Sequence, residues 1–264
     1  MAALDNILSS NRPASPGLGE AYYETDTNKI IAWNGASWTE VISDGSLSSY
    51  SNSYSIDFDG TNDYATISGA SDLSISGDCT ISLWFNSASL PGDGAFDYMF
   101  SLTDARANGK DRAIGIRGTG SGAQIVANTY GSGWNLPFTN TSISANTWHH
   151  VAVVFTSGSA QVYFNGADKG SKSVTTNTIA YTQTVIGGML YSSANHFNGL
   201  IDEVSVFGSE LSSSDVTTIY NLGVPTDISS LSPVGYWRMG DNDGGTGTTI
   251  TDQGSGSNDG TLTN

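Results

Sequence analysis

TWHHVAVVFTSGSAQVYFNG, residues 147–166, sets the fold class. In an extended chain Val151, Val153 and Phe155 fall on one face, and Trp148, His150, Ala152 and Val154 on the other. QVYFNG resumes after TSGSA, so residues 148–165 predict a β-hairpin. CTISLWF, residues 79–85, has the same period: Cys79, Ile81, Leu83 and Phe85 against Thr80, Ser82 and Trp84. From Tyr54 onward strand follows turn follows strand, with Gly, Asn and Asp at the breaks. That spacing predicts an all-β fold, a two-sheet antiparallel β-sandwich of the jelly-roll kind.

Composition agrees. Of 264 residues only 13% are charged and 38% are hydrophobic. A chain of this length buries a substantial core. Its polar surface then comes from Ser, Thr, Asn and Gly, which suits sheets better than helical bundles. A net charge of −16 and a pI near 4.1 argue against nucleic acid and against anionic membranes. Acidity fits solubility, salty surroundings and divalent cations. Cys79 has no second cysteine to pair with and reads as a small buried hydrophobe. No stretch reaches the length of a membrane span. MAALDNILSSNRP lacks a basic segment followed by an apolar run, so no secretion signal is expected.

Along the chain, residues 1–19 predict an extended tail, with two prolines and two glycines in NRPASPGLG. Residues 20–45 predict a small β-meander with strands near 20–24, 29–33 and 37–41. Three short strands make a weak core, so this module is expected to anchor or oligomerise the chain. SDGSLSSYSNS, residues 43–53, reads as a linker. Residues 54–223 predict the sandwich. Within them LSSSDVTTIYNLG predicts one short helix, with Ser212 as N-cap, Asp215 three residues on and Gly223 as the stop. Residues 224–264 start as a strand and dissolve into Gly, Asp, Asn and Thr. This extension is expected either to fray or to pair with another edge.

DFDGTNDYATIS (57–68), CTISLWFN (79–86), TWHHVAVVF (147–155), QVYFNG (161–166) and FNGLIDEVSVFGSELSSSDVTTIYNLG (197–223) together resemble a laminin-G-like, concanavalin A-like jelly roll. GYWRMGDN…GTLTN, residues 235–264, resembles the segment that usually precedes such a domain; here it follows one. RPASPGLGEAYYETDTNKIIAWNGASWTEV, residues 12–41, resembles a short module of bacteriophage tail fibres and other virion appendages. The resemblances imply a phage virion surface protein, a head decoration protein or a short fibre. They imply other virion proteins as partners, a homo-oligomer with a trimer favoured, and attachment to host surface polysaccharide. They also imply a structural Ca2+ ion. The alternative is a carbohydrate-active enzyme or its carbohydrate-binding module.

Within DFDGTNDYATIS, Asp59, Asn62 and Asp63 crowd one turn. Turns favour these residues on their own. In GLIDEVSVF, Asp202 alternates with Leu200, Val204 and Val206, which puts its carboxyl on an inward face. A buried carboxylate needs a partner, either backbone amides or a cation. Calcium takes about six to eight oxygens. Asp59, Asn62, Asp63 and Asp202 could supply part of such a set if the two segments meet. His149 and His150 point to opposite faces of one strand and cannot share an ion. His150 reads as a structural histidine. TYGSGWNLPF supplies Tyr130, Trp134, Asn135 and Phe138 for stacking on and holding a sugar, and His196 lies in a loop that could contact a ligand. Trp134 could equally plug the end of the sandwich. A retaining glycosidase needs two carboxylates about 5 Å apart. No Glu-x-Asp-x-x-Glu pattern, Gly-x-Ser-x-Gly elbow or phosphate loop is present, so no catalytic residue is expected.

Overall fold

A computed structural model describes residues 6–16, 21–25, 29–33, 37–42, 50–67, 73, 75, 77–103, 112–129, 136–174, 183–189 and 195–264. The chain divides into two compact units, Met1–Ser51 and Asn52–Asn264.

The first unit is one four-stranded sheet in the order β1 (Asn6–Ile7), β2 (Ala21–Glu24), β3 (Lys29–Trp33) and β4 (Trp38–Ile42). β1 runs parallel to β2, so part of the expected tail belongs to the sheet. Ile31 is buried, and Tyr22, Trp33 and Trp38 meet edge to face. Arg12 donates through Nε and Nη2 to both carboxylate oxygens of buried Glu24.

The second unit continues with β5 (Ile56–Asp59), β6 (Tyr64–Ile67), β7 (Cys79–Ser87), β8 (Phe96–Thr103), β9 (Arg112–Thr119), β10 (Gly122–Thr129) and β11 (Leu136–Phe138). β12 (His149–Phe155), β13 (Ser159–Phe164), β14 (Ala167–Ser173), β15 (Gln183–Ile186) and β16 (Asn198–Phe207) follow. After helix α1 (Ser213–Tyr220) come β17 (Gly235–Trp237), β18 (Thr249–Ile250) and β19 (Gly260–Thr263). One sheet runs β11-β10-β9-β8-β15-β6-β19-β18. The other runs β14-β13-β12-β7-β16-β17, with β5 also on β16. Both are antiparallel throughout. The expected two-sheet sandwich is the observed fold.

The period-two reading places the core. Cys79, Ile81, Leu83 and Phe85 from β7, with Val151, Val153 and Phe155 from β12, lie between the sheets. Burial pushes the Cys79 thiol up to about 11, against the opposing pull of the Arg112 guanidinium that donates to its Sγ. Ala152 and Val154 face outward and are covered by Val216 and Ile219 of α1. That helix starts on the Ser212–Asp215 capping box and ends at Asn221, in the left-handed conformation, two residues before Gly223.

The C-terminal extension is part of this sandwich. β17 pairs with β16 and β19 pairs with β6, so it serves both sheets. Trp237 is fully buried in the core and donates its indole N–H to the Asn258 carbonyl at 2.9 Å. The Asp252 carboxylate accepts from the backbone of Tyr236, Gly254 and Asn258 at 2.7, 2.7 and 2.8 Å. Three such bonds replace the water that a buried carboxylate loses. Trp237→Ala removes one of the largest core side chains and is expected to cost about 3–5 kcal/mol in denaturant unfolding. A loss below about 1 kcal/mol would mean the extension is not part of the core.

Candidate functional site

β16 carries one extra residue in its middle. On its β7 side Asp202 is opposite Trp84 and Ser205 is opposite Ser82, so three steps match two. Glu203 takes up the difference with a φ of 49°. Such a bulge reverses the facing of everything beyond it. Ile201 points into the core, and so do Val204 and Val206. Asp202 therefore lies on the outer face beside Trp84, not on the inward face of the valines as the simple alternation implied.

The opposite edge of β16 is shared end to end by two strands. β5 pairs with Asn198–Ile201 and β17 with Val204–Val206. The bulge sits in the gap between them. Three carboxylates gather there: oxygens of Asp202, Glu203 and Asp241 lie within 4.8 Å of one another. Glu203 accepts from the Tyr236 hydroxyl and, at 3.1 Å, from Arg238 Nε. Asp202 accepts from Asn52 Nδ2 at 2.9 Å and from the Glu203 N–H at 2.8 Å. Asp241 accepts from the backbone N–H groups of Ser53 at 2.8 Å and Tyr54 at 3.3 Å. These bonds tie the strap Asn52–Ser55 to the outer face of the sheet.

Beside the strap is a cleft of about 320 Å3. Trp84, Trp148 and Tyr54 provide its aromatic lining. Asn52, Ser53, Ser55 and Asp202 provide polar groups, and Leu200, Gly223 and Pro225 complete the walls. Trp148 is 40% exposed and Tyr54 46%, so both offer ring surface to solvent. Trp84 is held by a parallel Tyr220 ring 5.8 Å away and by His150 at 5.1 Å. The arrangement sets ring faces next to hydroxyl, amide and carboxyl groups. It can stack on an apolar ring face and hold the hydroxyls at its edge.

The other expected site residues lie elsewhere. Asp59 is opposite Asn198, four residues along β16 from Asp202. Asp59 Oδ1 accepts from the N–H groups of Thr61 and Asn62 at 2.7 and 3.3 Å, and the Thr61 bond foremost holds its carboxyl below the usual range. Asp63 Oδ2 accepts from the Asp59 N–H at 3.1 Å, leaving Oδ1 buried without a partner. Asp59, Asn62 and Asp63 form a self-closed turn, and the expected calcium set with Asp202 does not converge on one point. Phe138 is a core residue, not a ligand contact. His196 is buried, 6.0 Å from Tyr64, with its Nδ1 against Gly188; that packing removes it from a ligand surface. Tyr130, Trp134 and Asn135 lie outside the described residues. His149 packs on Phe85 and Phe164, and His150 Nε2 meets Ser82 Oγ at 2.8 Å. Burial lowers both rings, His150 to about 3.

Residues 59–217 match the concanavalin A-like lectin/glucanases superfamily, more than half of the chain. The chain belongs to that superfamily. No curated protein matches it. Among solved structures, a proposed carbohydrate binding protein from Bacteroides ovatus is similar with a TM-score of 0.58 at 17% identity, covering 94% of this chain and 69% of that one. A heptameric SAP-like pentraxin from Limulus polyphemus is similar with a TM-score of 0.50 at 18% identity, covering 63% and 81%. Likeness at this identity shows the fold alone. The strap Asn52–Ser55, part of the cleft wall, and Asp241 lie outside residues 59–217.

Burial is the main cause that pushes Asp202 from 3.8 up to about 8, with the Glu203 and Asp241 charges adding to it against the Asn52 hydrogen bond. The folded chain then keeps a proton that the unfolded chain loses near pH 4. Stability from this group is present at low pH and is lost as pH rises toward 8. The Tm is expected to fall between pH 5 and pH 9, and to fall less in Asp202→Asn. Equal falls in both proteins would contradict the burial of this carboxyl.

Proposed function

We propose that this superfamily member is a non-enzymatic attachment protein that binds glycan in the cleft of Trp148, Tyr54 and Trp84. The carrying observation is that cleft: exposed ring faces beside amide, hydroxyl and carboxyl groups, on a sheet face fixed by a bulge. Carbohydrate binding fits the fold's superfamily and the Bacteroides ovatus neighbour. The resemblance of residues 12–41 to phage appendage modules supports a place on the surface of a virion, as a head decoration protein or short fibre that reaches host polysaccharide. In that setting the N-terminal sheet joins copies of the chain, a trimer being favoured, and contacts other virion proteins.

A calcium ion belongs to the same proposal, at Asp202, Glu203 and Asp241, whose oxygens are close enough to share one cation. The ion would neutralise carboxylates now served by Arg238, Tyr236 and Asn52. Its test is a melt at pH 9. Millimolar Ca2+ is expected to raise the Tm relative to EDTA, and an unchanged Tm removes the ion.

The glycan reading is tested by calorimetry with xylotetraose, cellotetraose, mannotetraose and galactotetraose. At least one is expected to bind, and Trp148→Ala to weaken it about tenfold or more, with a small change in Tm because the ring is an exposed surface group. Binding that ignores Trp148→Ala would move the site elsewhere. Release of sugar from plant, algal or bacterial polysaccharide would end the non-enzymatic part of the proposal.

A further inference from the structure

This inference rests on the reading of the cleft as a glycan site and concerns how one of its ring faces is held. Tyr54 precedes β5 and is not part of a strand. A half-exposed tyrosine there would ordinarily sample several rotamers, and stacking would have to immobilise it. Here the side chain rests on a shelf from the far end of the chain. A Cβ added to Gly245 would stand 2.3 Å from Tyr54 Cε1, and one on Gly240 would stand 3.1 Å from Tyr54 Cβ. Both glycines have positive φ, 67° and 115°. The Gly245 N–H donates to the Gly240 carbonyl at 2.9 Å and closes the turn. The turn is tied down in its turn, since Thr251 donates its N–H and its hydroxyl to the Asp243 carboxylate. Asp241, inside the same turn, accepts the N–H groups of Ser53 and Tyr54. One short loop therefore fixes both the backbone and the ring of Tyr54. No side chain other than hydrogen at Gly245 leaves room for that ring.

We propose that the turn Gly240–Gly245 is the positioning element of the cleft: it presents Tyr54 as a preset ring face for a sugar, with Asp241 as the positioning residue. The site's affinity then depends on a loop that touches no sugar, and that lies in the extension beyond the superfamily match.

The test is a double-mutant cycle in the full chain, read by calorimetry with the same four tetrasaccharides and accompanied by a melt of each variant. Gly245→Ala and Tyr54→Ala are each expected to weaken binding about fivefold or more. The double variant is expected to bind no more weakly than Tyr54→Ala alone, because the shelf acts only through that ring. Hydrogen exchange gives a readout without sugar: Asp241→Ala is expected to speed exchange at the Ser53 and Tyr54 amides, and Asp241→Asn to preserve part of the protection. Unchanged binding in Gly245→Ala, or losses that simply add in the double variant, overturns the inference. If Trp148→Ala still weakens binding in that case, the glycan reading of the cleft stands without it. If the wild-type chain binds none of the four sugars, both fail.

Discussion

The bulge at Asp202–Glu203 is the constraint on which the outer face depends. One extra residue on β16 lets Ile201, Val204 and Val206 all reach the core while two acidic side chains stay outside it. Without it, either the valines or the carboxylate would sit on the wrong face, and a charge without a partner inside the sandwich costs several kcal/mol. The same residue marks where β5 stops and β17 starts along one edge. Strap, acidic cluster and cleft all follow from that break in pairing.

The energetics of this region are set by compensation. Burial foremost, and then the neighbouring Glu203 and Asp241 carboxylates, disfavour a charge on Asp202. The surroundings answer with one guanidinium, one phenol, one amide and three backbone N–H groups. The cluster is polar glue between three stretches remote in sequence: the strap, β16 and the turn after β17. The sandwich supplies rigidity from its apolar core, and the acidic cluster decides how the strap lies across it.

Much of the fold was legible because strands repeat every two residues. The faces of β7 and β12 follow directly from the alternation in CTISLWF and WHHVAVVF, and the capping box of α1 from Ser212 and Asp215. The site was less legible. Nothing in GLIDEVSVF marks the bulge, because Glu203, not a glycine, carries the positive φ. Asp202 is a carboxylate that must find partners, but the bulge puts it on the outer face and its company is Glu203 and Asp241 instead of the Asp59–Asp63 turn. Tyr54, Trp84 and Trp148 are far apart in sequence, and strand register together with the turn holding Tyr54 assembles them. The extension hid its role because its apolar residues are few and widely spaced; Trp237, Met239 and Ile250 nonetheless enter the core.

The cleft proposed to bind glycan lies beside a break in strand pairing. Amide chemical-shift mapping during a titration with the four tetrasaccharides tests that proposal most directly. The perturbed amides are expected to cluster at Asn52–Ser55, Trp84, Trp148 and Asp202. Shifts confined to the opposite sheet, or to residues 130–135, would contradict it.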